Sequence, residues 1–433
     1  MSDAFIAVAG FVGLFVLIAL RVPIGFAMGI AGVAGFAAVN GLKPGLNLLM
    51  NSPLRTVSNY TLSVIPMFIL MGVFASASGM SRELFRANRA WFGHLRGGTA
   101  ISTILACGGF AAINGSSVAT AATMTTVALP EMRRAGFDPG LAAGTIAAGG
   151  TLGIMIPPSV TMLLYGILTE QDIAKLFMAG IIPGCLAILF YIAVVRVIAT
   201  FRPELCPVGE RSGWRERWAS LRDIWATLLL FAIIIGAIYG GFVTVTEAAG
   251  LGATGAFAIG VARGRLNVAS VIESLIEALR TTASIFVIAV GAYLFGYFLT
   301  VTQTTQALTE FLVSLPIGAY GTLALILVAY ILLGAVMDEL AIILLTVPII
   351  FPVIVSLGFD PIWFGVIIVM TVTLGLITPP VGMNVFVINS IARDVPLTTI
   401  FRGVAPFIAV DIVRLIVLCA FPWLSLVIPN TMH

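Results

Sequence analysis

Charge is the first thing this chain is short of. Only 9% of its 433 residues are Asp, Glu, Lys or Arg, against 60% hydrophobic, and the mean hydropathy is +1.12. A soluble domain carries nearer a quarter charged residues, so the chain reads as a polytopic membrane protein. Lysine occurs only at Lys43 and Lys175, and neither lies in a GxxxxGK[ST] loop, which excludes an ATP-binding P-loop here. Any work the chain does must draw on a gradient or on another subunit. Histidine occurs only at His94 and His433, too few for a histidine metal centre or a Ser-His hydrolytic pair. Cys107, Cys185, Cys206 and Cys419 share no CxxC spacing and read as packing residues. No transition-metal site and no nucleic-acid partner is expected. Residues 4–20 imitate a signal peptide, but another span starts at Ile24 with no small-residue cleavage site between, so the segment is read as uncleaved.

What the chain does have is one phrase written twice. Thr-Leu-Gly-x-x-x-Pro-Pro occurs at 151–158 (TLGIMIPP) and at 373–380 (TLGLITPP). The match extends at a constant offset of 222 residues: Gly136-Phe137-Asp138-Pro139 answers Gly358-Phe359-Asp360-Pro361, and Pro130 answers Pro352. The reading is an internal duplication, with a first copy over 1–201, an arginine-rich linker over 202–222 and a second copy over 223–433. Consecutive prolines remove two N–H donors and clash with the preceding turn, so each copy carries one broken membrane helix, over 138–168 and 361–391. Hydrocarbon offers no hydrogen bonds, and loosened backbone at that depth is tolerated only where it lines a cavity or is buried in protein. Paired breaks at corresponding positions of a repeat are the sequence sign of a secondary transporter, with ligand and coupling ion near the bilayer midplane.

At about 20 residues per crossing, the other spans fall near 4–20, 24–40, 58–77, 179–198, 223–241, 247–262, 281–300 and 403–427. Two apolar stretches with polar centres, 99–132 and 318–357, read as re-entrant hairpins. The leading arm of the first, 99–113, is only about 22 Å long at roughly 1.5 Å per residue. With both stretches returning to their own side, eighteen arginines collect on one face and only Lys43, Arg55 and Lys175 on the other. The positive-inside rule then makes the arginine face cytoplasmic and both termini periplasmic. The first hairpin dips from the cytoplasm and the second from outside, so the copies are inverted. The expected fold is an all-α polytopic membrane protein: an inverted repeat with two re-entrant helical hairpins and two broken transmembrane helices. Two amphipathic stretches, 81–96 and 267–279, read as helices lying in the cytoplasmic interface.

The first hairpin centres on Asn114-Gly115-Ser116-Ser117 and the second on Met337-Asp338-Glu339. At the 222 offset Ser116 aligns with Asp338 and Ser117 with Glu339, hydroxyls in one copy and carboxylates in the other. Each tip is expected to face the broken helix of its own copy. Carbonyls at 153–156 and 375–378 lose helical partners to the prolines, and free carbonyl oxygens suit a hard cation. The cation candidates are Asn114, Gly115, Ser116, Ser117, Gly153 and Pro157, with Asp338, Gly375, Thr378 and Pro379. The half-helices after Pro158 and Pro380 present N–H groups and positive dipole ends to an anion; Ser159, Gly382 and Asn384 stand beside them as substrate candidates. Plainer roles stay open. Asn114 and Ser116 also suit a turn, Glu339 a helix cap, and Asn384 and Asn389 a bond to a neighbouring helix. Glu247 reads as an N-terminal dipole residue and Asp411 with Arg414 as a structural pair. An intramembrane protease on Ser116 or Asp338 lacks its second catalytic group, and a channel has no use for matched breaks.

At these residues the chain resembles the large membrane (permease) subunit of tripartite ATP-independent periplasmic (TRAP) transporters, the dicarboxylate-type M subunit family. The doubled GFDP and TLGxxxPP phrases and the NGSS and MDE tips carry the resemblance, which covers essentially the whole chain. It implies a sodium-driven importer of organic anions in the bacterial inner membrane, with Na+ as the coupling ion at the cation candidates. It also implies an elevator mechanism and two partners, a small four-helix membrane subunit and a periplasmic substrate-binding protein. The alternative, a stand-alone divalent-anion/sodium symporter without a binding protein, shares the hairpin plan, but no Ser-Asn-Thr phrase marks either tip or break. Which carboxylate is carried stays open.

Overall fold

A computed structural model describes residues 3–209 and 211–432, which contain no β-strand and one isolated bridge, Arg96 to Val208. The first copy runs through α1 (Asp3–Ala19), α2 (Ile24–Asn40), α3 (Leu42–Val57), α4 (Val64–Ala77), α5 (Met80–Phe92), the hairpin arms α6 (Gly98–Asn114) and α7 (Ser117–Arg134), the half-helices α8 (Pro139–Met155) and α9 (Val160–Thr169), and α10 (Ile173–Phe201). The second runs through α11 (Trp214–Tyr239), α12 (Val245–Ala262), α13 (Val268–Val301), α14 (Thr304–Val313), the arms α15 (Gly318–Gly334) and α16 (Glu339–Ser356), the half-helices α17 (Pro361–Leu376) and α18 (Met383–Ile391), α19 (Leu397–Ala420) and the short α20 (Trp423–Leu426). Residues 222 apart fall in matching elements: α1 answers α11, α2 answers α12, α5 answers α14, and α6 to α10 answer α15 to α19. Eight helical segments among the described residues are long and apolar enough to cross a membrane.

The repeated GFDP phrase is a stop followed by a start. Gly136 and Gly358 sit at φ +79 and +80, where only glycine is free of a Cβ penalty. The amides of Phe137 and Phe359 reach back to Met132 O and Ile354 O, closing α7 and α16. Asp138 and Asp360 then accept the Leu141 and Trp363 amides at 2.8 Å, and the following proline starts the next helix. Stop, cap and start together set the angle at which each hairpin hands over to its broken helix.

Two amphipathic segments behave differently from the sequence expectation. Residues 267–279 are not a separate interfacial helix; they are the first turns of the 34-residue α13, because no Gly or Pro between Ala278 and Ser284 stops the chain. The first copy breaks at the corresponding place, where Asn59 caps a 3-10 turn between α3 and α4. The other segment does form its own helix, α5, but Leu84, Phe85 and Ala87 are buried in protein. They pack on α6, and α11 lays Trp214 and Trp218 edge-on against Trp91. The linker ends in structure as well, since α11 starts at Trp214 and Arg217 stacks on Trp91 and Trp214. Cys206, buried in this linker, has its thiol pushed up to about 11 by burial, with Asp138 and Glu204 adding; it stays a protonated packing residue. Helices α3 and α14 were not anticipated.

The copies are interleaved. Helix α2 packs along α13 and α12 along α4, while α9 packs on α16 and α18 on α7. In lipid the hydrophobic effect does not favour helix against helix, so small residues that let backbones approach carry the association. A Cβ on Gly25 would stand 2.7 Å from Val287 O, and one on Gly32 2.6 Å from the Leu294 carbonyl carbon. The arginine-rich segments meet at one end in ion pairs: Arg89 and Arg134 with Glu131, Arg133 with Asp394, Arg263 and Arg265 with Glu83.

Candidate transport site

Both tips lie against the break of their own copy. At the first, Gly115 O accepts the Val160 amide at 3.5 Å, and Gly153 packs so closely that a Cβ there would overlap Ser116 O. Ser116 caps α7, accepting the Ala119 amide at 3.4 Å, and Ser159 caps α9, accepting the Met162 amide at 3.2 Å. Pro157, Pro158 and Ser159 are all buried. Pro157 has no N–H for Gly153 O. At the second break, Ala335 O accepts from both Val381 and Gly382 at 3.1 and 3.2 Å, and a Cβ on Gly334 would lie 3.0 Å from Gly375 Cα. Gly375 O keeps a partner, the Thr378 amide at 3.0 Å. Thr378 Oγ1 donates to Leu374 O at 2.6 Å and retains lone pairs for another ligand. Pro379 and Pro380 are exposed. Both Pro-Pro bonds are cis.

Asn384 crosses between the copies. Its side chain is fully buried on α18, with Nδ2 donating to Ser117 Oγ at 2.8 Å and to Ala147 O at 3.3 Å. In this conformation it is bonded to neighbouring helices, so the first tip is held by the second copy. Asn389 instead donates to Val395 O, in the turn that follows its own helix.

The two tips come together at one cavity of about 190 Å³, reached by Asn114, Gly115 and Ser116 from the first hairpin and Glu339 and Leu340 from the second. Its other wall is α4 and α13, through Ile69, Gly72, Val73, Ser76, Glu277, Thr281 and Ile285. A Cβ on Gly72 would stand 2.6 Å from Asn114 Oδ1, so the tip rides on the backbone of α4. Glu339 and, on the opposite wall, Glu277 are the carboxylates among the lining residues, and Asp338 is not one of them. The tip carboxylate is Glu339. It is 4% exposed, its Oε2 has no hydrogen-bond partner among the described residues, and the Ser117 amide faces it. Asp338 caps α16, accepting the Leu340 amide at 3.1 Å. Among the described residues no three His, Cys, Asp or Glu side chains gather as for a metal.

Several contributors escaped the sequence reading. Gly72 carries no local signal in an apolar span. Glu277 had one, the polar stripe Ser274, Glu277, Thr281 at helical spacing, which the separation of 267–279 from the next span concealed. Behind the first break, Thr151 bonds Tyr191 OH at 2.9 Å, Tyr191 donates to Asp411 at 2.7 Å, and Arg414 pairs with Asp411 at 2.9 Å, all buried.

The family model for the tripartite ATP-independent periplasmic transporter DctM component matches residues 11–424. The chain belongs to this family. As a DctM-family protein it is a multi-pass inner-membrane transport protein and not an enzyme. It is 37% identical to the C4-dicarboxylate TRAP transporter large permease protein DctM of Pseudomonas aeruginosa, over 90% of this chain and 93% of that one. It is 31% identical to the sialic acid TRAP transporter large permease protein SiaM of Vibrio cholerae, over 94% and 95%. The fold is also similar to that of the Alcanivorax borkumensis YdaH transporter, with a TM-score of 0.66 at 15% identity over 93% of this chain and 98% of the other. As a DctM component of a tripartite system, this large permease works with a small membrane subunit and a periplasmic binding protein.

Proposed function

We propose that the chain imports a small organic anion by sodium-coupled secondary transport, with a periplasmic binding protein delivering the anion and a small four-helix membrane subunit bracing the permease. The observation that carries this reading is the convergence of both hairpin tips on one cavity whose far wall belongs to other helices, α4 and α13. A body made of hairpins and half-helices that meets its neighbours across such a surface suits elevator motion. Two relatives are named for a C4-dicarboxylate and for sialic acid, which supports a carboxylate as cargo.

In this reading the sodium ligands come from Asn114, Gly115, Ser116, Ser117, Gly153 and Pro157 around the first tip, and from Asp338, Gly375, Thr378 and Pro379 around the second. Pro158, Ser159, Pro380 and Gly382 line the route of the anion, whose charge is met by the amide ends of α9 and α18; Asn384 joins them when its bond to Ser117 opens. Sodium is favoured over a proton because most of these groups are carbonyls and hydroxyls that do not titrate.

The test is reconstitution with both partners and a panel of carboxylates under an imposed sodium gradient. Saturable uptake that collapses when potassium replaces sodium is expected. Uptake indifferent to sodium that follows a pH gradient would sink the coupling, and uptake without binding protein would favour a stand-alone symporter. Asp338→Asn is expected to weaken sodium dependence while the protein still inserts and folds.

A further inference from the structure

A second cavity, of about 470 Å³, opens beside the first toward the arginine-rich end. The two share Ser76, Ala122 and Thr123, so they form one path leading away from the tips. One side of this vestibule is the turn from α4 into α5, with Ser81 and Arg82, joined by Arg265 ahead of α13. The other is the arm α7, with Thr123 and Thr126. Among the described residues no Asp or Glu lines it.

The basic residues are not equivalent. Arg265 is fixed: Nη2 bonds Glu83 Oε1 at 2.8 Å, while the other oxygen of Glu83 takes Arg263 at 2.6 Å. Glu83 is 6% exposed, and Arg265 remains 47% exposed. Arg265 also lies over Gly79, where a Cβ would stand 3.0 Å from Nη1. Arg82 is exposed and has no ion-pair partner among the described residues. Three arginines against one carboxylate leave a net charge of +2 at a polar mouth of low-dielectric walls, where field lines concentrate and raise the local concentration of anions.

We propose that this vestibule is a second, weaker anion site for small carboxylates, in which Arg82 and the pinned Arg265 receive the cargo as it leaves the tips on the cytoplasmic side. The proposal rests on the importer reading for the direction of travel, but its chemistry is independent of it. Because one wall is the hairpin arm α7 and the other includes the end of α4 and Arg265 ahead of α13, sliding of the hairpin against them would close the site, so it holds an anion only when the tips open toward this end.

The test uses the permease with its small subunit in inverted membrane vesicles. The background carries Cys185→Ser and Cys419→Ser, because those two thiols are not fully buried. Thr126→Cys places a reporter thiol on the α7 wall. An anionic methanethiosulfonate is expected to react faster than a cationic one. Arg82→Gln with Arg265→Gln is expected to lower that ratio on the order of tenfold, from the loss of two unit charges at short range; Arg265→Lys should preserve it. Millimolar succinate should slow labelling by neutral N-ethylmaleimide more than chloride of equal ionic strength does, and the double Gln variant should lose this protection. A ratio unmoved by the Gln variants, a thiol inert to every reagent, or protection no better than chloride would overturn the site. If ratio and protection hold while no carboxylate is taken up with the partners present, the vestibule stands and the importer reading fails.

Discussion

The same eight-residue phrase makes a sealed break in one copy and an open one in the other. Pro157 and Pro158 are buried, with α10 so close that a Cβ on Gly180 would stand 2.7 Å from Met155 O and one on Gly184 2.8 Å from Ile156 Cγ1. Pro379 and Pro380 are exposed. The difference continues behind the breaks. Thr151 joins Tyr191, Asp411 and Arg414 in a buried network, whereas its counterpart Thr373 bonds only Met370 O in its own helix. Duplication supplied two copies of one device, and the surroundings have made the first an anchored joint and the second an accessible one.

The largest expected effect lies in the anchored joint. Asp411→Ala strands the guanidinium of Arg414, which is 1% exposed, and is expected to destabilise by about 3–5 kcal/mol. The double change Asp411→Leu with Arg414→Met should recover most of it in thermal unfolding of the purified protein. A single substitution without effect would mean the network does not brace the break.

Replacing the prolines sharpens the contrast. With Pro157-Pro158 changed to Ala-Ala, a helix re-formed through Ile156 would press on α10, so uptake and thermal stability should both fall. With Pro379-Pro380 changed to Ala-Ala, uptake should also be lost, but stability should hold or rise, since an interior proline costs about 3 kcal/mol relative to alanine. Full uptake from either variant would make that copy scaffold alone. Equal stability changes in the two would erase the distinction between joints.

A smaller effect separates the tips. Asn384→Ala removes the bonds to Ser117 Oγ and Ala147 O, at a cost of about 1–3 kcal/mol. Hydrogen exchange should quicken around 114–120 and stay unchanged around 335–342, where Ala335 O holds the tip from its own break. Uniform quickening would show that the tips are not held independently.

The smallest effect is at the surface. Arg133 holds the Asp394 carboxyl below the usual carboxylate range through a hydrogen bond. A depressed carboxyl contributes above its unfolded pKa, near 3.9, and loses that contribution only as pH falls through the folded value. Any contribution is therefore complete at neutral pH. The pair is solvent-exposed, so Asp394→Asn should not measurably shift thermal stability there.

The local grammar of this fold was legible in the sequence. Asp138-Pro139 and Asp360-Pro361 announce helix starts, the Pro-Pro pairs announce breaks, and the polar centres at Asn114 and Asp338 mark hairpin tips. Each signal works through its own few residues. The contacts that distinguish the copies are not local. Nothing near Ser117 names Asn384, nothing near Gly72 names Asn114, and in a chain this apolar the burial of Pro157 against the exposure of Pro379 leaves no periodic trace. The continuity of α13 has no such signal, because a change to amphipathic composition does not end a helix, whereas Gly, Pro or a capping residue does.

The interleaving of α18 on α7 and of α9 on α16 also bears on how the protein comes to be made. The arm that begins at Ser117 acquires its partner Asn384 only after 267 further positions have been synthesised. For much of translation the first repeat is therefore an unfinished surface in the bilayer. Contacts so distant in sequence form late and leave intermediates exposed. Neither half is a self-sufficient folding unit, and the two expressed as separate chains would each need the other to become stable.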